Sequence, residues 1–160
     1  MKTRFVLTAL ALAAAFTSAP GMAADAAKGA AMSEDFLTAN AKKPGWKTTP
    51  SGLQYHVDKE VKGAKKPAPG SVVTVHYAGT LTDGTEFDSS IKRGEPATFP
   101  LPNVIQGWQE GVPMMGVGES WTFAIPYQLA YGAQGRPPVI PPAATLIFKI
   151  ELISAKTLAP

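Results

Sequence analysis

From Leu53 onward, apolar and polar side chains alternate. Leu53, Tyr55 and Val57 interleave with Gln54, His56 and Asp58, and Val73, Val75 and Tyr77 with Val72, Thr74 and His76. A period of two predicts strands with one face toward a core. Trp121, Phe123 and Ile125 share a third such face, and Leu146, Phe148, Ile150 and Leu152 a fourth within Thr145–Ile153. Two shorter strands fit between them. Glu86–Ser90 is entered through an Asp83-Gly84 turn, and Thr98–Leu101 is kept near an edge or end by Pro100.

One stretch breaks this period. Val104, Trp108 and Val112 recur every four residues, which predicts a helix over 104–112, stopped by Gly111 and Pro113. It is the only helical reading after residue 45, so the pattern predicts a sheet wrapped across one short helix with Trp108 between them. By periodicity alone Trp108 reads as a core aromatic before it reads as a site residue. Pro126–Ala143 reads as one long loop carrying Tyr127 and Tyr131, and loops of that length in compact domains are usually functional. Toward the N-terminus, Asp25–Met32 is Ala-rich and reads as mobile. Ser33 is placed to cap a short helix with Glu34 and Asp35 in its first turn and Lys42 and Lys43 in its last.

The first 24 residues add an address. Lys2 and Arg4 precede an apolar run from Phe5 to Phe16 and then small residues, an export-signal pattern with cleavage near Ala23 or Ala24. A membrane span needs about 20 apolar residues, more than this run holds. The expected organisation is a signal at 1–24, an extension with a short helix at 25–48 and a domain at 49–156, in a periplasm. Loss of Lys2 and Arg4 would lower the formal charge of +3 to about +1, so charge argues for neither a nucleic-acid nor a membrane partner. Lys59, Lys62, Lys65 and Lys66 read as a solvated face.

Composition removes much chemistry. There is no cysteine, hence no disulfide, thiolate metal site or Cys nucleophile. No Gly-x-Ser-x-Gly elbow, phosphate-binding glycine loop or His-Glu-x-x-His occurs. His56 and His76 fall on polar strand phases without ligand-spaced partners, so neither metal nor cofactor is expected. Asp88 is the one carboxylate among the apolar motifs. The residues by themselves describe a small binding domain with an aromatic pocket.

The motifs say more. Val75-His76-Tyr77-Ala78-Gly79-Thr80-Leu81, Asp83 to Ser90, Val104 to Gly111, Ala130-Tyr131-Gly132 and Val139 to Phe148, in this order, resemble the FKBP-type peptidyl-prolyl isomerases. Ser51 to Tyr55, with the preceding helix, is similar to the secreted bacterial branch that includes the macrophage infectivity potentiators. The resemblance implies an α+β fold, a curved antiparallel five- or six-stranded sheet across one helix. It implies a proline pocket with Trp108 as floor and Tyr77, Phe87, Phe99, Val104, Ile105 and Phe148 as walls, and it adds Val139 and Ile140 to the substrate contacts. It also implies that Tyr131 and the Ile105 N–H donate to substrate carbonyls and that Asp88, held by Tyr77 and Arg93, faces the twisting amide. Ala97 and Arg136-Pro137-Pro138 depart from the family's pattern at the pocket rim.

The implied partners are proline-containing unfolded or extended polypeptides and macrolides of the rapamycin or tacrolimus type. The chain is expected to be a monomer, since only a stub of the branch's helical dimerisation segment is recognisable. The competing reading is an exported chaperone or peptide-binding module that uses the same groove without isomerising. Taken singly, Tyr77, Phe87 and Phe148 are also ordinary core residues, Asp88 a turn former and Tyr131 a loop anchor.

Overall fold

The computed structural model describes residues 20–158. Its strands are β1 (Trp46–Thr48), β2 (Gln54–Lys59), β3 (Val72–Leu81), β4 (Glu86–Ser89), β5 (Ala97–Pro100), β6 (Ser120–Ile125) and β7 (Leu146–Lys156). Its helices are α1 (Pro20–Asn40), α2 (Ser90–Arg93) and α3 (Gln106–Gly111). All strands join one antiparallel sheet in the order β1-β2-β6-β7-β3-β4, with β5 also paired to β3.

Register carries the predicted apolar phases into one core. Phe123 on β6 lies opposite Phe148 on β7 and Tyr55 on β2, while Tyr77 lies opposite Ile150 and Val75 opposite Leu152. Val73, Val75, Phe123, Ile125, Leu146, Ile150 and Leu152 are essentially solvent-free. Helix α3 packs on this face with its backbone against the sheet. A Cβ on Gly107 would collide with Ile125, and one on Gly111 with Phe123. Both glycines are therefore required by close approach rather than by backbone conformation.

Several expectations need correction. The N-terminal helix is not a short one capped by Ser33. It is continuous from Pro20 to Asn40, and Ser33 is a buried interior residue. The run Asp25 to Met32 that reads as mobile has high helix propensity and is stabilised by packing further along. Residues 1–19, the bulk of the expected export signal, lie outside the described residues.

The sheet has seven strands, the extra one being β1, whose three residues carry no readable alternation. It lies in the stretch expected to be extension. Gln54, on the polar phase of β2, is buried because α1 covers that corner of the opposite face. Asn40 Nδ2 donates to its Oε1 at 2.9 Å, and its Nε2 donates to the Leu37 carbonyl at 2.8 Å.

The central helix is shorter than predicted. Val104 precedes it, closing a 3-10 turn over Leu101–Asn103, and Val112–Met114 forms a second 3-10 turn. Pro113 supplies no backbone N–H, so the α-helical ladder stops before it. Nor is α3 the only helix after residue 45. Ser89 caps the one-turn α2 by accepting from Lys92 N at 3.2 Å, and Gly94, at φ 74°, closes it with an N–H to the Ile91 carbonyl. Four residues are too few for a helical period to register in a sequence.

Candidate active site

Tyr77 and Phe148 come from the two longest strands, β3 and β7, Phe99 from β5 and Trp108 from α3. These elements bring four aromatic rings together. Tyr77, Phe99 and Phe148 stand at 83°, 90° and 89° to the Trp108 ring, with centroids 5.3, 5.7 and 5.3 Å away. Edge-to-face packing of this kind sets the positive edge of one ring against the negative face of another. The result is a cavity of about 360 Å³, lined by these four rings and by Asp88, Asn103, Val104, Ile105, Tyr131 and Arg136. Gly79 lets the Phe87 and Phe148 rings pack against its backbone, since a Cβ there would strike both.

Asp88 is pinned by two side chains. Tyr77 Oη donates to its Oδ2 at 2.5 Å, and Arg93 Nη1 donates to its Oδ1 at 2.5 Å. Arg93 Nη2 also donates to Tyr77 Oη at 3.0 Å and the guanidinium lies over the Tyr77 ring, which closes the triangle. The one turn of α2, framed by its Ser89 and Gly94 caps, brings Arg93 back to Asp88. Ser90 steadies Tyr77 by accepting from its backbone N–H at 2.8 Å.

Burial works to raise the Asp88 carboxyl, but the hydrogen bonds from Tyr77 and Arg93 outweigh it and hold the group below its ordinary value. Burial, reinforced by the bond to Asp88, pushes the Tyr77 phenol up, and its two partners raise Arg93. At neutral pH the triangle is a fixed carboxylate, a fixed phenol and a fixed cation. It offers neither an acid nor a base.

The floor is held from below. Gln109 Nε2 donates to the Val104 carbonyl at 2.7 Å, fixing the turn that presents Ile105 at the start of α3. The Ile105 carbonyl is used inside the helix by Trp108 and Gln109. Trp108 Nε1 is buried with no hydrogen-bond partner among the described residues.

Tyr77, Asp88, Phe99, Val104, Ile105, Trp108, Tyr131 and Phe148 therefore meet at one cavity. Phe87, Val139 and Ile140 do not line it. They border a neighbouring cavity of about 360 Å³ that shares Asp88, Tyr131 and Arg136 with the first. Ile140 is buried and Val139 half exposed. Arg93 acts behind the wall, through Asp88. Two lining residues escaped the sequence reading as contacts. Asn103 sits in a turn with no periodic signal, and Arg136, read only as a rim difference, places its guanidinium over the Tyr131 ring at 5.6 Å.

Comparison with known proteins points to one family. Residues 63–153 match the family model described as FKBP-type peptidyl-prolyl cis-trans isomerase, and residues 7–57 match the domain amino-terminal to it. The chain is 55% identical over 130 residues to the FKBP-type peptidyl-prolyl cis-trans isomerase FkpA of Aeromonas hydrophila, covering 81% of this chain and 48% of that protein. It is 55% identical over 124 residues to the peptidyl-prolyl cis-trans isomerase Mip of Coxiella burnetii, covering 78% and 54%. The chain thus spans about half the length of these relatives. Among solved structures it is similar to Escherichia coli FkpA, with a TM-score of 0.80 and 43% identity over 85% of this chain and 63% of that one.

Proposed function

The chain belongs to the FKBP-type peptidyl-prolyl cis-trans isomerases, and we propose that it accelerates rotation about X-Pro peptide bonds in exported polypeptides. The observation that carries this reading is the cavity floored by Trp108, walled by perpendicular rings and flanked by a carboxylate whose charge is already satisfied. A pyrrolidine ring is apolar, compact and nearly flat, and it suits such a box. The catalytic set is Trp108, Tyr77, Phe148, Asp88 and Tyr131.

Rotation needs no proton transfer. Its barrier, about 18–20 kcal/mol, comes from amide resonance. Twisting removes charge separation from the amide, so an apolar pocket favours the twisted form over the planar one. Tyr131 and the Ile105 N–H then donate to carbonyls on either side of the proline and hold the twisted geometry better than the planar one. Lowering the barrier by about 7 kcal/mol gives roughly a 10⁵-fold acceleration. Fixed charge on Asp88 contributes a constant field rather than a reactive group.

The natural substrates on this reading are unfolded or extended proline-containing chains in a periplasm. Macrolides of the rapamycin and tacrolimus type would compete for the same cavity. Among the described residues no helix is long and apolar enough to cross a membrane. A protease-free isomerisation assay on a proline tetrapeptide tests the proposal. Turnover that a macrolide abolishes supports it. Peptide binding without acceleration would favour the holdase alternative.

A further inference from the structure

Helix α1 touches the loop that carries Tyr131, and its hydrogen bonds to that loop's Ala143–Thr145 end come from one hydroxyl. Ser33 Oγ donates to the Ala143 carbonyl at 2.5 Å and accepts from the Thr145 N–H at 3.1 Å, across more than a hundred residues of sequence. Ser33 is only 5% exposed. One turn earlier on the same helix, Gly29 lies so close to the Pro142 carbonyl that a Cβ there would collide with it. The other end of α1 is fastened to β2 through Asn40 and Gln54.

The contact leads to the site. Ala143 holds a left-handed backbone, φ 51°, which a residue with a Cβ adopts only when its surroundings hold it there. Its N–H donates to the Gly132 carbonyl at 3.2 Å, and the Gly132 N–H donates to the Tyr127 carbonyl at 2.8 Å. Gly132 follows Tyr131 directly. The two ends of the loop are thus tied together beside Tyr131, and the hydroxyl of Ser33 holds one of those ends.

We infer that Ser33 is a positioning residue: from helix α1 it fixes the Ala143–Thr145 end of the loop and thereby the placement of Tyr131 at the proline cavity. The inference rests on the isomerase reading for its kinetic consequence but not for its structural one. A serine hydroxyl in a helix interior ordinarily folds back onto its own helix or points to water. This one replaces both with a pair of loop backbone groups, which a helix serving only as a covering would not require.

The test is a double-mutant cycle with two kinetic constants. Ser33→Ala should lower kcat about three- to tenfold, the scale of one misplaced hydrogen-bond donor, with KM little changed. In a Tyr131→Phe background the same substitution should do nothing further, because the group it positions is gone. Gly29→Ala, which keeps the hydroxyl but presses on Pro142, should reproduce the kcat loss. Asn40→Ala, which loosens the far anchor of the helix, should leave kcat unchanged. Multiplicative effects of the Ser33 and Tyr131 changes, or an Asn40→Ala defect equal to that of Ser33→Ala, would overturn the inference. Amide hydrogen exchange supplies a reading independent of turnover. In Ser33→Ala, protection should fall at Ala143 as well as at Thr145, and loss confined to Thr145 would refute transmission toward Tyr131. Should the wild type turn over no substrate, the isomerase reading falls while the exchange pattern still decides the role of Ser33.

Discussion

Asp88 and Glu119 are both held below their ordinary pKa against burial, Asp88 chiefly by side chains and Glu119 chiefly by backbone donors. Asp88 is satisfied by side chains, the Tyr77 hydroxyl and the Arg93 guanidinium, at the edge of an open cavity. Glu119 is 6% exposed and satisfied by neutral donors. It accepts from Gly116 N at 2.8 Å and Val61 N at 3.2 Å, and from Trp121 Nε1 at 3.0 Å. Burial pushes its carboxyl up, and these three donors together with the positive charge of Lys66 overcome that push. The two tryptophans divide in the same way. Trp121 has its N–H bonded to Glu119 and its face stacked on Tyr55, whereas Trp108 leaves its N–H unpartnered and turns ring surface toward a cavity. Where backbone donors hold a carboxylate, the arrangement staples two loops. Where side chains hold it beside empty space, the arrangement shapes a site.

Replacing the two indole–carboxylate regions in turn should separate them. Trp108→Ala removes the cavity floor and a core aromatic together, and should cost about 3–5 kcal/mol of stability along with nearly all activity. Glu119→Ala should cost about 3 kcal/mol or more, because it strands three donors and each that loses a buried acceptor costs about 1–3 kcal/mol. The kcat/KM of its folded fraction should be unchanged. Urea denaturation and turnover, measured on the same preparations, check both. A Glu119 variant that stays stable but loses turnover would erase the distinction.

A smaller change sharpens it. Tyr131→Phe takes one hydroxyl from a half-buried loop residue and should slow kcat/KM about two- to tenfold with a melting temperature near that of the wild type. Unfolding of this variant would mean that Tyr131 belongs to the core and not to the groove.

The smallest effect expected is no change at all over a stated range. Asp88 and Glu119 both have depressed folded pKa values, so each contributes stability that is present above the unfolded carboxylate values, about 3.9 and 4.3, and lost as pH falls through the folded ones. Stability should therefore decline only below about pH 4. Between about pH 6 and 9, kcat/KM should be flat, since Asp88 stays ionised and the raised Tyr77 phenol stays protonated across that range. A step near 6.5, where an imidazole ordinarily titrates, or a large solvent isotope effect, would mean that a general acid or base operates here.

The amino-acid sequence by itself determines whatever repeats with a period or recurs as a local motif. Alternation at Leu53, Val75, Phe123 and Ile150 is imposed by the pleat itself, so core strands and their inward faces follow from the chain. The Asp83-Gly84 turn is legible because it needs a residue such as Gly84, which takes φ 90°, and the aromatic set is legible through its order in the motifs. The rest depends on which distant surfaces meet. Ser33 reads locally as a helix cap, yet in the fold it serves a loop that lies far along the chain. Gln54 reads as solvent-facing until α1 covers it, and which of two adjoining cavities Val139 and Ile140 border is set by the fold of the loop. Glu119 follows a glycine turn and precedes Trp121 by two residues, a spacing that says nothing of Val61. A hydrogen bond between residues far apart in the chain leaves no period in the sequence, because chain folding and not local geometry supplies its second partner.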